Sequence, residues 1–572
     1  MKLINLKISS YKNYLTIIIV IFFVHFYILN LGSFLNTDLI AVGGDLSYEL
    51  VPIKIAYDGD LLGFTTNLGW PNGFATWAYP TMGFGTILSA WIFGLLPFSL
   101  SIYFIYFCIA ILGNLLNSTA IYWAFQAEFR NKLYPTFFSI LIGISPLIYY
   151  RFGHMPVIWF YFIVIIIGVS IKFERYQLKL SKIFLIILIA GIFSPFWWNV
   201  VGILISLSLI IIYLINYKKN QINLKFWFTI LTSIIVSLLP TFVLYLHHRD
   251  LVGPSGRNPW QSNVFGGRLS DLLVASPYLN QNYYLLEKLN EGVSPEARIT
   301  QFGLVLTIFA IAALIYLASS YITKFDYLPK NLGIFTFFIF IFFLLGGLGN
   351  LQASILFLMN QISPARSWSR LIIFLSIIGA FILFKFLEEK NIRTKLFYPI
   401  IIFLIFISFI DLSFASKPTL TNKNQVEGID AIRFIEENTK DCPILQLPLD
   451  TYPIPQDFLF ENGGKFVYNE FIPYLISDKN QWSIGGTPGN RYWLENLKIP
   501  RTIELSILLD LDKKGFCAIL FDKDYANWQI NRNAGIDPKT GALTNWGNWP
   551  GVEIKGISPN FQDNRFEVYL IK

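Results

Sequence analysis

The chain has 572 residues, of which 54% are hydrophobic and only 14% are charged, and its mean hydropathy is +0.53. Soluble proteins carry about 25% charged residues, so this composition excludes an ordinary soluble protein and indicates a membrane protein. The formal net charge of +8 does not indicate nucleic-acid binding. The lysines and arginines fall mostly in short links between apolar runs, where basic residues orient membrane proteins.

Apolar runs long enough to cross about 30 Å of hydrocarbon as helices recur along the chain as far as residue 414. About eleven such runs are present, over residues 14–32, 101–125, 133–150, 155–171, 181–197, 198–216, 225–246, 300–322, 331–348, 369–387 and 396–414. The sequence therefore predicts a polytopic α-helical membrane domain over residues 1–415, with about eleven transmembrane helices.

The apolar run over 82–98 decides the side on which every later link lies. If it crossed the membrane, Lys172, Arg175 and Lys182 would lie outside, whereas basic links favour the cytoplasmic side. We therefore expect a surface or re-entrant helix at 82–98 and a cytoplasmic N-terminus. The polar segments then lie outside, namely the first outer loop 33–100, the long outer loop 247–300, a re-entrant segment at 349–366 and the tail 416–572.

The tail, residues 416–572, differs in character and predicts an extracytoplasmic α/β domain. Four runs resemble strands, CPILQLPL, GKFVYNEFI, CAILFDKDY and RFEVYLIK, and GIDAIRFIEENT resembles a helix. Cys442 and Cys517 each open a strand-like run, so they lie side by side if those strands are parallel neighbours. An oxidising outer face permits a disulfide between them, and two unpaired core cysteines are the alternative.

The first outer loop holds a cluster of carboxylates in a chain that is otherwise mostly hydrocarbon. Asp45, Glu49, Asp58 and Asp60 lie within sixteen residues of one another. Carboxylates are costly beside lipid, so the cluster indicates function, although surface loops also collect acids. Transfer from a lipid-linked sugar needs a carboxylate to accept the proton of the attacking group. Asp45 is the first candidate because it follows the span most closely, and Glu49 lies one helical turn further on.

Basic side chains at the predicted outer ends of spans are candidates for binding a phosphate leaving group. Arg151 and His154 lie in the short link YYRFGHMP, and Arg366 and Arg370 lie in SPARSWSR at the start of a span. Positive charge on the outer side runs against the topological bias, and an anionic head group gives a reason for it. Anchoring at the interface is the alternative role for such an arginine. Arg257, in the long outer loop, is a further candidate.

Four tryptophans, Trp70, Trp77, Trp197 and Trp198, flank the predicted outer surface. Anchoring at the membrane interface is the usual role of tryptophan in such positions. Trp70 and Trp77 lie in the acidic loop, where stacking on a sugar is a second role.

The layout resembles the GT-C superfamily of polytopic glycosyltransferases, which have a first span, a long outer loop with an early Asp, and surface helices. The segment GGDLSYELVPIKIAYDGDLLGFTTNLGWPNG, the FGH link, PARSWSR and PILQLPL are similar to YfhO-like bacterial membrane proteins. The resemblance implies inverting transfer of a sugar from a polyprenyl-phosphate donor to a glycan, lipid or protein acceptor, with Asp45 as the base.

The resemblance leaves the cofactor open, because some superfamily members use a divalent metal and others do not. The DGD sequence at Asp58–Asp60 suggests Mg²⁺ or Mn²⁺, and these two acids are also candidates for binding substrate. The expected location is the bacterial cytoplasmic membrane, with the tail outside. Two other functions stay open: a transporter or flippase of lipid-linked glycans, and a structural envelope protein with a glycan-binding tail.

Overall fold

The computed structural model of the chain describes residues 2–28, 39–41, 45–76, 83–97, 99–150, 154–215, 217–248, 303–320, 329–344, 368–390, 394–413, 420–422, 428–447, 471–477, 479–483, 502–524, 526 and 553–571. Helices dominate this part of the chain up to Ser413, and short strands form in the first outer loop and in the tail. The boundary at residues 415 and 416 between a membrane domain and a tail domain stays a prediction.

Each predicted apolar run overlaps a helix. In chain order the helices are α1 (Lys2–Ile28), α2 (Asp45–Tyr57), α3 (Phe84–Gly94), α4 (Ile102–Phe125), α5 (Leu133–Gly143), α6 (Pro146–Tyr150), α7 (Met155–Ile158), α8 (Tyr161–Tyr176), α9 (Leu180–Phe193), α10 (Phe196–Ile215), α11 (Tyr217–His247), α12 (Leu304–Ser320), α13 (Lys330–Leu344), α14 (Ile372–Glu389) and α15 (Thr394–Ser413). The helix α3 lies in the run over 82–98. Its 11 residues span only about 16 Å at 1.5 Å per residue, half the thickness of the hydrocarbon layer.

The described helices have the length and composition of a membrane protein. Four stretches are long and apolar enough to cross a membrane, namely Tyr11–Ile28, Ile102–Glu128, Phe196–Ile215 and Gln221–His247. Shorter apolar helices accompany them, among them α3, α9, α12 and α13. The chain is therefore a mostly helical, multi-pass membrane protein.

Close backbone approach and aromatic packing hold the bundle together. The helices α12 and α14 lie so near each other that a Cβ at Gly379 would meet the carbonyl carbon of Phe309 at 2.6 Å. Small residues permit this approach in membrane helices, where apolar surface alone gives no preference for protein over lipid. Phe381, further along α14, stacks on Phe125 of α4 with ring centroids 4.7 Å apart.

Charged side chains gather at one end of the bundle. Lys385 Nζ lies 2.8 Å from Glu388 Oε2 and 3.0 Å from Glu389 Oε1, and it donates to the backbone carbonyl of Glu128 at 2.7 Å. Glu128 Oε2 in turn lies 3.8 Å from Arg175 Nε. These residues flank links that the sequence assigns to the cytoplasmic side, so the links meet at a single end of the bundle, here called the charged end.

The first outer loop covers the opposite end of the bundle. It contains β1 (Leu39–Ala41), α2, a hairpin of β2 (Phe64–Thr65) and β3 (Phe74–Ala75), and α3. At the start of α3, a Cβ at Gly85 would meet the carbonyl oxygen of Phe193 at 2.7 Å. Phe193 ends α9, whose other end lies towards the charged end. The loop therefore packs directly on the turn between α9 and α10.

The tail forms a mixed sheet with helices beside it. Its elements are β4 (Leu420–Asn422), α16 (Ile429–Asn438), β5 (Pro443–Leu447), α17 (Ile472–Ile476), β6 (Gln481–Trp482), β7 (Thr502–Ile503), α18 (Leu505–Lys513), β8 (Ala518–Asp522), β9 (Glu553–Ile554), β10 (Phe561–Gln562) and β11 (Phe566–Leu570). Five strands make one sheet, here called the tail sheet, in the order β10-β11-β8-β5-β6. The strand β5 pairs in parallel with β6 and β8, and β11 pairs antiparallel with β8 and β10.

The tail follows most of the predicted pattern. Strands β5, β8 and β11 and helix α16 lie in the runs predicted for them. Because β5 and β8 are parallel neighbours, Cys442 and Cys517 lie side by side and form a disulfide with their Cα atoms 6.1 Å apart. The strand predicted over GKFVYNEFI is wrong at its end, where α17 begins at Ile472. The residues 464–470 lie outside the described part of the chain.

Candidate active site

The helix α2 carries the two candidate catalytic acids and is buried over residues 49–56. Leu50, Val51 and Ile53, on different sides of the helix, are fully buried. The acid-bearing segment is therefore a central element of the outer region. Asp45 is the first residue of α2, and helical spacing places position 45 on the same face as Glu49, four residues later. The side chain of Asp45 lies outside the described part of the chain.

Glu49 pairs with His154 across two distant segments. Glu49 Oε1 lies 3.3 Å from His154 Nδ1, and the exposed fractions of the two side chains are 1% and 19%. A buried carboxylate needs such a partner, because an unpaired buried charge is costly. The contact is an ion pair when the imidazole is protonated. The structure thus brings a predicted catalytic acid and a predicted phosphate ligand into one site.

The starts of two other helices, α10 and α14, lie near α7, whose N-cap residue is His154. Phe160, after α7, packs edge-on against Phe374 of α14 with centroids 6.0 Å apart, and Phe374 packs against Trp198 of α10 at 5.2 Å. Arg370 lies one turn before Phe374, half-buried in the short 3-10 turn Trp368–Leu371. Arg370 therefore stands at the same end of the bundle as the Glu49–His154 pair.

Trp198 corrects the expectation that the outer tryptophans are interfacial anchors. It is fully buried and packs on Phe374 in the protein core. The neighbouring Trp197 is also buried, at 9% exposure. Their sequence position at a predicted span end is typical of anchoring, but the contact with α14 places Trp198 between helices.

Asp58 and Asp60 have structural partners at the end of α2. Asp58 Oδ2 lies 3.1 Å from Lys54 Nζ, and Asp60 Oδ1 accepts the backbone N–H groups of Leu62 and Gly63 at 2.8 Å and 3.1 Å. Mg²⁺ and Mn²⁺ need several oxygen ligands gathered in one place. Among the residues described, no group of three His, Cys, Asp or Glu has a metal-binding arrangement. Both acids therefore have protein partners, and the suggested Mg²⁺ or Mn²⁺ site stays a prediction.

The remaining predicted residues cannot be placed in the site. Arg151, Arg257 and Arg366 lie outside the described part of the chain, as do the residues 249–302 and the predicted re-entrant segment 349–366. Their assignment as phosphate ligands stays a prediction.

Two buried polar groups have contacts that the sequence reasoning did not anticipate. Asp411 of α15, 1% exposed, accepts the backbone N–H of Leu304 at 2.5 Å and so caps the start of α12. An acid inside an apolar helix is the signal that marks it. His25 of α1 is fully buried; its Nδ1–H donates to the carbonyl of Ile21 at 2.8 Å, and its Nε2 accepts from Asn114 Nδ2 at 3.0 Å. This pair ties α1 to α4.

Comparison with known proteins gives a fold but no family. No family model matches this chain, and no curated protein matches it. Among solved structures, the Archaeoglobus fulgidus oligosaccharyltransferase in complex with zinc and sulfate is similar, at 12% identity and a TM-score of 0.50, over 90% of this chain and 69% of that one. Its apo form is similar at 13% identity and a TM-score of 0.50, over 94% and 74% of the two chains.

A third similar structure is the arabinofuranosyltransferase AftD from mycobacteria. It is 11% identical, with a TM-score of 0.45, and the match covers 88% of this chain and 36% of AftD. The likeness to the oligosaccharyltransferase shows the fold. This chain therefore has the fold of that oligosaccharyltransferase, and a GT-C activity for it stays a prediction. The finer likeness to YfhO-like proteins stays a prediction.

Proposed function

We propose that this protein is a membrane glycosyltransferase that moves a sugar from a polyprenyl-phosphate donor to an acceptor at the outer face of a bacterial cytoplasmic membrane. The acceptor is a glycan, a lipid or a protein. The observation that carries the proposal is the pairing of Glu49, buried in the central helix α2, with His154 from a distant link. A GT-C fold supports the same reaction class.

The reaction needs a base for the acceptor and a stabilised leaving group. The acceptor oxygen or nitrogen attacks the anomeric carbon of the donor, and the bond from that carbon to the phosphate oxygen breaks. Asp45 takes the proton of the attacking group, which is the role of a general base. The polyprenyl phosphate leaves with the bonding electron pair, and nearby cations stabilise its charge.

Glu49 and His154 contribute through their contact. Glu49 Oε1 lies 3.3 Å from His154 Nδ1 and so orients the imidazole. When protonated, the imidazole can bind the phosphate through Nε2–H. Arg370, at the same end of the bundle, adds a second cation for the phosphate.

The separation of the two ends of the bundle supports the proposed topology. The cluster around Lys385 and Glu128 occupies the charged end, whereas Glu49 and His154 lie at the other. Basic links favour the cytoplasm. About eleven spans with the N-terminus inside would therefore place the site and the tail outside.

The test measures transfer by the full chain in lipid nanodiscs, with labelled polyprenyl-phosphate sugars as donors and bacterial envelope glycans and lipids as acceptors. Asp45→Asn should lower the rate by about a hundredfold or more, the usual contribution of a general base. Glu49→Gln should also lower it, because the imidazole loses its anionic partner. Asp510→Asn and Glu553→Gln change exposed carboxylates of the tail and should leave the rate unchanged.

Two results would contradict the proposal. Full transfer by both Asp45→Asn and Glu49→Gln would exclude the site, provided that the variants insert and fold like the wild type. Movement of labelled donor across the bilayer with no transferred product would favour the transporter function instead.

A further inference from the structure

We propose that the tail positions the acid-bearing helix α2, so that residues of the tail set the place of the catalytic acid although they do not touch the substrate. This inference rests on the proposed function for its catalytic consequence. It is carried by three contacts between the tail and the segment 39–70, here called the tail clamp.

The first contact of the tail clamp lies just before α2. Strand β1 of the first outer loop pairs antiparallel with β4 of the tail, with Ile40 opposite Thr421. Only the residues 42–44 separate the end of β1 from Asp45. A strand pair this close to the helix start restricts where the first turn of α2 can lie.

The second contact lies after α2. Leu68 forms a parallel bridge with Trp482, the last residue of β6. The Trp482 N–H donates to the Asn67 carbonyl at 2.9 Å, and the Trp482 carbonyl accepts from Gly69 N at 2.7 Å and from Trp70 N at 3.2 Å. Because β6 is the edge of the tail sheet, the first outer loop takes the place of a further strand, as in β-augmentation.

The third contact involves α2 itself. Lys54 Nζ lies 5.4 Å from the ring centroid of Tyr474 in α17. Both residues are buried, at 7% and 3% exposure. A cation over an aromatic face is more strongly attracted when water is excluded, so this contact holds the helix against the tail between the two strand contacts.

Aromatic packing and a disulfide stabilise the tail where it contacts the first outer loop. Trp70 packs edge-on against Phe516 with centroids 4.9 Å apart, and Phe516 precedes the disulfide residue Cys517. On the neighbouring strand, the carbonyl of Cys442 accepts from Gln481 N at 3.1 Å. The disulfide therefore joins β8 to β5, and β5 is the neighbour of the edge strand β6 that carries the second contact. The tail can thus act as a rigid support.

This arrangement has a catalytic consequence. A displacement of about 1 Å in a catalytic group can lower a rate about a hundredfold. A tail that only covered the site would change stability alone. A tail that positions α2 must change turnover when its contacts are broken, even in protein that stays folded and binds its donor.

The test compares Trp482→Pro with Trp482→Ala in the full chain in nanodiscs. Both variants lose the indole, but only proline also removes the N–H that bonds to Asn67. The N–H groups of Gln481 and Ser483, which donate to the carbonyls of Cys442 and Ile444, stay in both. We expect Trp482→Pro to lower kcat about tenfold relative to Trp482→Ala, with the KM for the donor within about twofold.

A second pair of variants, at Tyr474, tests the inference if Trp482→Pro does not fold. Tyr474→Leu removes the aromatic face above Lys54, whereas Tyr474→Phe keeps it. Tyr474→Leu should lower kcat severalfold, and Tyr474→Phe should restore it to near the wild-type value. Equal kcat in Leu and Phe variants, or in folded Pro and Ala variants, would overturn the inference.

Amide hydrogen exchange over residues 46–57 separates this inference from the proposed function. It needs no transfer reaction, so it reports the tail clamp even if the wild type transfers no sugar. Faster exchange in Trp482→Pro than in Trp482→Ala supports positioning of α2 by the tail. Equal exchange in the two variants overturns it, whatever the activity.

Discussion

In the helical bundle, α12 and α14 approach until the backbone of Phe309 faces Gly379; in the tail sheet, a disulfide and a buried Arg565–Asp522 ion pair join neighbouring strands. The bundle depends on shape, because apolar contact alone does not distinguish protein from lipid. The tail has a small core, and covalent and ionic links supplement it. The helix α2 lies between these regions and contacts both of them.

The difference between the regions can be tested by substitutions that should damage one and spare the other.

Removal of the disulfide should destabilise the tail and leave the bundle intact. The two cysteines are 75 residues apart. Closing a loop of that length lowers the conformational entropy of the unfolded chain and so adds about 4 kcal/mol to the free energy of unfolding. In the double variant Cys442→Ser with Cys517→Ser, hydrogen exchange of the β5 and β8 amides should therefore be much faster. Cys108→Ser, which changes the free cysteine of the bundle, is the control. Unchanged exchange in the tail of the double variant would contradict the prediction.

Gly379→Ala should destabilise the bundle and leave the tail intact. The new Cβ would lie 3.0 Å from Ala313 N and 2.6 Å from the carbonyl carbon of Phe309, so α12 must move, at a cost of about 3 kcal/mol. The thermal midpoint in detergent should fall. Gly333→Ala is the matched control, because its Cβ would meet only the Tyr316 hydroxyl at 3.3 Å. Similar midpoints for the two alanine variants would show that the approach of α12 and α14 is not tight.

Arg565→Met should weaken the tail sheet less than loss of the disulfide. Arg565 is 3% exposed and its guanidinium contacts Asp522 Oδ2 through Nε at 3.0 Å and Nη2 at 2.5 Å. Asp522 is 16% exposed, so water solvates part of the carboxylate that the substitution leaves unpaired. The free energy of unfolding should therefore fall by about 2 kcal/mol. Hydrogen exchange of the β8 and β11 amides measures this change. Arg433→Met, which breaks an exposed pair with Asp430, should have almost no effect.

Acidification should loosen the contact between α11 and the first outer loop slightly. His248 stacks on Phe64 with centroids 5.5 Å apart. Burial, followed by the neighbouring His247, lowers the pKa of His248 below its usual value of 6.5, although Asp60 opposes the shift. The unfolded segment therefore binds more protons than the folded one as the pH falls through 6.5 and below, and stability is lost in that range. At pH 8 the contribution is fully present.

The size of this pH effect should be below about 1 kcal/mol, because His248 is partly exposed and solvent screens its charge. Amide exchange near Phe64, corrected for the intrinsic pH dependence, measures it between pH 8 and pH 5.5. His248→Phe keeps a ring for stacking but cannot titrate, so its exchange should not depend on pH. An equal pH dependence in that variant would assign the effect to another group.

Much of the architecture could be predicted because it depends on local pattern. Each apolar run overlaps one or two helices, since a long hydrocarbon segment must satisfy its backbone hydrogen bonds internally. The pairing of Cys442 with Cys517 was one of two open alternatives, and the parallel register of β5 and β8 decided it. The predicted strand at 464–472 failed at Ile472, where packing of α17 prevailed over β propensity.

The candidate site was predictable in its residues but not in its contacts. The composition of the first outer loop identified Glu49, and the FGH link identified His154. Nothing in either segment indicated that the two side chains meet, because their contact depends on how α2 and the link before α7 fold together. The interfacial role predicted for Trp198 was wrong for the same reason, because its contact with Phe374 depends on how α10 and α14 pack.

By itself, the sequence determined that this is a membrane protein with an acid-rich outer loop and a strand-rich tail, because hydrophobic runs and their periodicity are local properties. Only the tertiary structure decided that α2 is buried, that Glu49 meets His154, and that the tail clamp holds α2 from both sides. The bridge from Leu68 to Trp482 uses backbone N–H and C=O groups. Nearly every residue carries these groups, so no side-chain pattern can mark the bridge in advance.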